Sequence, residues 1–241
     1  MSNEAIWIFT VLVDFLFIII SIKLFGKLGV YFTIISGIIL CNIQVVKIVE
    51  IFGVTATLGN IAYGSIFLAT DLLSECYGKQ EAKRAVVLGF YTLVFFNVAL
   101  NLSLWIKPAA DDIYHHHMLI LFNQTTRISI ASFAAYLVSQ FYDVWIFDIL
   151  KNKMQGKHLW LRNNFSTISS QLLDTAVFSL LAFYKVFPLR LIITIATTTF
   201  GLKLIVALLD TPFAYLGRFL LKQHAANHAN PSQKYSLADG I

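Results

Sequence analysis

Seven times between residues 5 and 221 the chain runs for about twenty residues with almost no charge. A bilayer's hydrocarbon core is about 30 Å thick, and about 20 apolar residues in a helix cross it. Inside that core every backbone N–H and C=O must be satisfied within the segment, which leaves the helix as the structure for runs spaced like these. The runs lie at roughly 5–25, 30–51, 54–76, 84–106, 125–150, 166–187 and 189–221,. They predict an all-α chain, a polytopic membrane helical bundle with six or seven transmembrane helices. Gly26, Gly29, Gly53, Gly78 and Pro188 punctuate the joints, and Gly59 with Gly64 predicts a bent or broken third run,. One transmembrane domain is expected over 1–222, then a loosely ordered polar tail over 223–241,.

Composition narrows the function classes. Only 13% of residues are charged, against about 25% in a soluble domain. The net charge of +5 sits between apolar runs, a pattern that suits an anionic cytoplasmic leaflet better than nucleic acid. Membrane lipid is therefore an expected partner, and nucleic acid is not. Cys41 and Cys76 stand apart in apolar stretches and imply neither a disulfide framework nor a metal site,. The first run has no basic residue before it and no small-residue cleavage site, so it reads as a retained helix,. With the N-terminus outside, twelve Lys and Arg fall inside and five outside, which favours N-out, C-in by the positive-inside rule,.

Ionisable groups within spans cost at least ~2.5–3.5 kcal/mol each at the bilayer centre. They are the informative residues. Asp71 and Glu75 close the third run one helical turn apart, on one face,. Tyr136, Gln140 and Asp143 share a face of the fifth. Gln171 and Asp174 share a face of the sixth. Lys203 lies in the seventh, seven residues before Asp210, and Asn42 interrupts the second,. Asn97 and Asn101 share a face of the fourth, where a hydrogen bond to neighbouring helix is the simpler reading,. Asp174 and Lys203 lie deepest, so a structural ion pair stands there beside a functional site. The LLDT of 172–175 recurs at 208–211, a match short enough for chance in a Leu-rich chain,.

Other signals carry less. His115-His116-His117 lies in a polar segment and reads as a solvated loop, not a metal site,. Asn123-Gln124-Thr125 is a glycosylation sequon only in a secretory pathway,. No HExxH, GxSxG or Walker sequence is present, so the chain reads as no enzyme, with no cofactor,.

Four segments together are specific: IFLATDLLSECYGKQEAKRA at 66–85, RISIASFAAYLVSQFYDVWIFDILK at 127–151, WLRNNFSTISSQLLDTAVFSLLAF at 160–183 and KLIVALLDTPFAYLGR at 203–218. Through them the chain resembles the queuosine-precursor transporter family, formerly labelled as vitamin uptake transporters. The resemblance implies import across the inner membrane of a 7-deazaguanine base, a small purine-like molecule. That base is 7-cyano-7-deazaguanine, 7-aminomethyl-7-deazaguanine or queuine. It also places the family's motif residues at Asp71, Gln140, Asp143, Asp174, Lys203 and Asp210. Asp71, Gln140, Asp143, Gln171, Asp174, Lys203 and Asn42 are the expected substrate-binding set. Glu75, beside Lys79 and Lys83, and Asp210 are expected at a gating rim. The alternative is a substrate-binding subunit of an energy-coupled vitamin importer. A homo-oligomer is compatible with either.

Overall fold

The computed structural model describes residues 2–122 and 126–228. Along the chain come α1 (Asn3–Phe25), α2 (Lys27–Gln44), β1 (Ile48–Ile51), β2 (Val54–Thr57), α3 (Asn60–Tyr77) and α4 (Lys79–Trp105). Then follow α5 (His115–Phe122), α6 (Thr126–Lys153), α7 (Leu159–Phe183), α8 (Leu189–Leu209) and α9 (Thr211–His228). The expected all-α polytopic bundle is what forms. The sequon at 123–125 and residues 229–241 of the expected tail lie outside the described residues.

Five of the described helices are long and apolar enough to cross a membrane on their own: α1, α2, α4, α6 and α8. Their outer faces carry large exposed apolar side chains such as Phe9, Leu24, Tyr91 and Phe95. Facing water these would form a cost; facing lipid they meet a matching solvent. α3 and α7, 18 and 25 residues long, are not among those five because they hold much of the polar interior. Asn60, Ser65, Thr70, Asp71 and Ser74 are buried on α3, and Arg162, Asn163, Ser166, Thr167, Ser170 and Gln171 on α7. Helices this polar are stable at membrane depth only when their neighbours cover them. α3 packs against α1, α2, α4, α6, α7, α8 and α9, while α7 packs mainly on α6 and α8.

Several run boundaries move, the sixth among them, whose helix α7 starts at Leu159 and ends at Phe183. The second run stops as helix at Gln44, and 48–57 forms an antiparallel hairpin pairing Ile48 with Thr57 and Ile51 with Val54. Phe52 (φ 52°) and Gly53 (φ 72°) are its two central residues. Both have positive φ, as a two-residue hairpin turn matched to strand twist requires. The hairpin folds back on α1: Asn3 Nδ2 donates to Glu50 O at 3.1 Å, and the Trp7 and Phe52 rings meet edge-on. The third run does not bend. Gly59 precedes α3, and Gly64 lies inside an unbroken helix where Val206 of α8 comes against it. The seventh run breaks at Asp210 into α8 and α9, with Pro212 in the first turn of α9, where its missing N–H costs nothing,. α9 then continues past the expected boundary at 222 to His228. Asn97 and Asn101 donate to Leu93 O and Asn97 O of their own helix, both at 2.8 Å.

The bundle has two distinct ends. At one lie the hairpin and the α7–α8 turn. At the other lie the α1–α2, α3–α4 and α6–α7 joints, rich in Lys and Arg.

Candidate functional site

A cavity of about 300 Å³ lies nearer the hairpin end, where Val45, Gly59 and Asn60 line it, between α2, α3, α4, α6, α7 and α8. Apolar and aromatic groups dominate its wall, among them Ile38, Tyr63, Tyr136, Phe178 and Ile195. Asn42, Asn60, Ser132, Thr175, Ser179 and Thr199 add polar points. Among the described residues, its charged wall residues are Asp174 and Lys203. Lys203 Nζ lies 2.6 Å from Asp174 Oδ2, with both side chains almost fully buried. Tyr63 Oη donates to Asp174 Oδ1 at 2.7 Å and Ser139 Oγ to the same oxygen at 3.2 Å. The ammonium also lies over the Tyr63 ring, 4.9 Å from its centroid. Three donors from α3, α6 and α8 thus satisfy one carboxylate on α7. That is the condition under which a buried pair is tolerated. The pair leaves the wall with no net charge.

Of the expected binding set, Asn42, Asp174 and Lys203 are on this wall. Asp71, Gln140, Asp143 and Gln171 are not; they are buried farther along the bundle, toward the basic end. The helical spacing explains the difference. Tyr136 lines the cavity, and one and two turns later the same face of α6 carries Gln140 and Asp143 away from it,. Gln140 Oε1 accepts from Thr70 Oγ1 at 3.4 Å.

A second polar cluster lies there. Asp71 Oδ2 accepts from Thr167 Oγ1 at 3.2 Å and Ser166 Oγ at 3.4 Å. Asp143 Oδ1 accepts from Ser170 Oγ at 2.8 Å, and Asp210 Oδ1 from Asn163 Nδ2 at 2.7 Å. All three acids are 2% exposed or less. Asp210 therefore belongs to this buried cluster and not to the rim.

Glu75 does sit at the basic end, with other partners than expected. Arg162 reaches it with two nitrogens, at 2.6 and 3.3 Å, Arg218 Nε lies at 3.1 Å and Lys151 Nζ at 3.8 Å. Lys79 pairs with Asp148 instead. Arg162 is fully buried, packs over Phe147, and donates to Lys157 O at 3.0 Å and Gly156 O at 2.9 Å. Tyr63, Ser139 and Arg162 lie outside the expected binding set. Tyr63 carried a signal, since it lies two turns before Asp71 with Phe67 between them, all at i, i+4 spacing,.

The family model described as "Putative vitamin uptake transporter" matches residues 57–217, which contain most of the cavity wall, the Asp174–Lys203 pair and the Asp71, Asp143 and Asp210 cluster. A Bacillus subtilis protein named "Probable queuosine precursor transporter" is 38% identical over 92% of this chain and 97% of its own. The chain belongs to this family. A Haemophilus influenzae protein of the same name is 35% identical over 56% of the chain and 54% of its own length. An Escherichia coli "Queuosine precursor transporter" is 27% identical over 57% and 59%. No solved structure matches the chain. As a member of the vitamin uptake transporter family this chain is a multi-pass membrane transporter and not an enzyme.

Proposed function

We propose that the transporter imports a queuosine precursor, a 7-deazaguanine base, by binding it in the cavity between Asn42, Tyr63, Asp174 and Lys203. The observation that carries this reading is a neutral, aromatic-walled cavity of about 300 Å³ with a few polar points. That volume is at the low end of ligand pockets, which run ~300–1,000 Å³, and suits a bicyclic base. Aromatic groups contribute roughly 1–3 kcal/mol per stacked base. Amide and hydroxyl groups read donor and acceptor edges. A phosphorylated nucleotide fits poorly, because among the described residues Lys203 is the wall's one cation and Asp174 already engages it. The three donors on Asp174 make it a clamp that fixes Lys203 and Tyr63. The remaining N–H bonds of Lys203 and the Asn42 amide then meet the base carbonyl edge. The names of the relatives, transporters in their own right, do not favour the subunit alternative. The Lys and Arg at the basic end support an orientation with both the N-terminus and the hairpin end outside the inner membrane,.

The test is a thermal-shift and uptake series on purified, reconstituted protein with 7-cyano-7-deazaguanine, 7-aminomethyl-7-deazaguanine, queuine and guanine. A preferred base raises the melting temperature by mass action and accumulates in vesicles. Protection by none of the three deazaguanines would refute the reading.

A further inference from the structure

The second cluster is the least expected feature of the interior. Asp71 on α3, Asp143 on α6 and Asp210 between α8 and α9 are buried, and among the described residues no cation is bonded to any of them. Every cation in the buried layers is engaged elsewhere: Lys203 with Asp174, and Arg162, Lys151 and Arg218 with Glu75. The other charges on the packed helices include Glu4, Asp14 and Lys23 on α1, Lys83 and Arg84 on α4, Arg127 and Lys153 on α6, Arg190 on α8, Lys222 and His224 on α9, and Lys27, Lys79, Glu81 and Asp148 at the basic end. Those last four pair as Lys27–Glu81 and Lys79–Asp148, and Cys76 and Tyr77 close α3. The second carboxyl oxygens, Asp71 Oδ1, Asp143 Oδ2 and Asp210 Oδ2, are buried without a hydrogen-bond partner among the described residues. The donors to Asp71 and Asp143, Thr167 and Ser170, are three residues apart on α7, and neighbouring buried carboxylates without a cation disfavour each other's charge, so a proton on one of them relieves both,.

A second observation points the same way. Gln171 is buried with neither amide atom partnered. It follows Ser170, the donor to Asp143, and lies one turn from Thr167, the donor to Asp71. It also lies three residues before Asp174 on the cavity wall. Gln140, with an unpartnered buried Nε2, bridges the same gap on α6. Unpartnered buried polar groups are costly and rare unless they serve something. Here they mark a polar track from the cavity toward the acids. Among the described residues no three acids are placed to hold a metal ion. The cargo that fits is a proton.

We propose that Asp71, Asp143 and Asp210 form a proton site that couples base import to an inward proton gradient. This rests on the transport reading above. One proton enters from the cavity side through the Gln140 and Gln171 amides and binds the Asp71–Asp143 pair. It leaves toward the basic end when the Glu75–Arg162 clamp opens. The proton that binds is the proton released, so no co-reactant is needed. Mechanistically, Asp71 matters for drive and Glu75 for closure.

The experiment uses the full chain in proteoliposomes with radiolabelled 7-cyano-7-deazaguanine, queuine and guanine as probes. Exchange at equal pH tests the base site, and accumulation against an imposed gradient tests the proton site. An acid exterior one pH unit below the lumen supports about tenfold accumulation for one proton per base. The expected result is that Asp71→Asn and Asp143→Asn keep exchange within about threefold of wild type and lose the tenfold accumulation. Glu75→Gln should keep accumulation better than Asp71→Asn. The proposal is overturned if wild-type accumulation ignores the pH gradient, if a sodium gradient alone drives it, or if both Asn variants accumulate normally. Loss of exchange by both folded variants overturns it too, since it returns the acids to the base site. Absence of wild-type exchange with every probe refutes the base reading instead. In that case, or where the variants do not fold, dicyclohexylcarbodiimide labelling of wild type decides. The reagent modifies buried protonated carboxyls, so label on Asp71 or Asp143 that fades with rising pH supports the site, and no label there overturns it.

Discussion

The Glu75–Arg162 contact makes the sharpest energetic test. Arg162 is wholly buried, and two of its nitrogens reach Glu75 at 2.6 and 3.3 Å. Its other donors are held by Lys157 O and Gly156 O. In Glu75→Ala those carbonyls remain, but the guanidinium charge loses its carboxylate in a dry setting. Removing one partner of a buried pair costs about 3–5 kcal/mol, because the remaining charge is uncompensated. Lys151 is half-exposed and still donates to Ser74 O and Glu75 O of the backbone, so it adds little. For a chain of this size 1 kcal/mol shifts the melting temperature by about 2–4 °C, so the expected drop is about 6–20 °C. The assay is thermal unfolding of purified protein in detergent, with Asp148→Ala as the comparison. Asp148 pairs with Lys79 at 3.0 Å where both are partly exposed, and such pairs contribute about 0–1 kcal/mol. Adding Arg162→Met to Glu75→Ala should recover part of the loss, since no buried charge is then left alone. A Glu75→Ala protein that melts with the Asp148→Ala protein would refute the reasoning.

Three further outcomes are expected. Tyr63→Phe removes one of three donors to Asp174 and should cost about 1.5–3 kcal/mol, the range for a hydrogen bond to a charged group, read as a lower melting temperature; an unchanged one would show that Tyr63 does not hold the clamp. Gly29→Ala should leave little folded protein by size-exclusion chromatography, because its Cβ would run into the Ser21 carbonyl where α1 and α2 cross; a normal elution profile would contradict the close approach. Asn42→Ala should weaken base binding several-fold with a melting temperature close to wild type, since its amide donates only to Ile38 O one turn back in its own helix; unchanged affinity by isothermal titration would remove Asn42 from the site.

Much of the fold was legible because apolar length is a strong signal. The buried acids were legible because charge in an apolar run has few explanations. What periodicity could not supply was the register between helices. Asp71 and Glu75 share a face of α3, yet one meets Thr167 and the other Arg162, both on α7. The Asp174–Lys203 bond likewise depends on how the antiparallel α7 and α8 align. Arg162 read as a loop cation because it stands just after a charged joint; only the packing shows it turned inward. The hairpin was hidden because its β-branched residues continued the apolar run of α2, with only single polar residues such as Lys47 and Glu50 set among them. Its Phe52-Gly53 centre between Ile-Val-Glu-Ile and Val-Thr-Ala-Thr was nevertheless a two-residue turn signal,.

The buried arginine also fastens a loop. Gln155 (φ 50°), Gly156 (φ 74°) and His158 (φ 51°) all adopt left-handed backbone between α6 and α7. Arg162 holds the carbonyls of Gly156 and Lys157 on that segment. Whatever pulls Arg162 away from Glu75 therefore also loosens the peptide after an exposed lysine. Cleavage by trypsin at Lys157 becomes a clock for the clamp: slow when the basic end is shut, faster as each turnover opens it, and fastest where Glu75 has been removed.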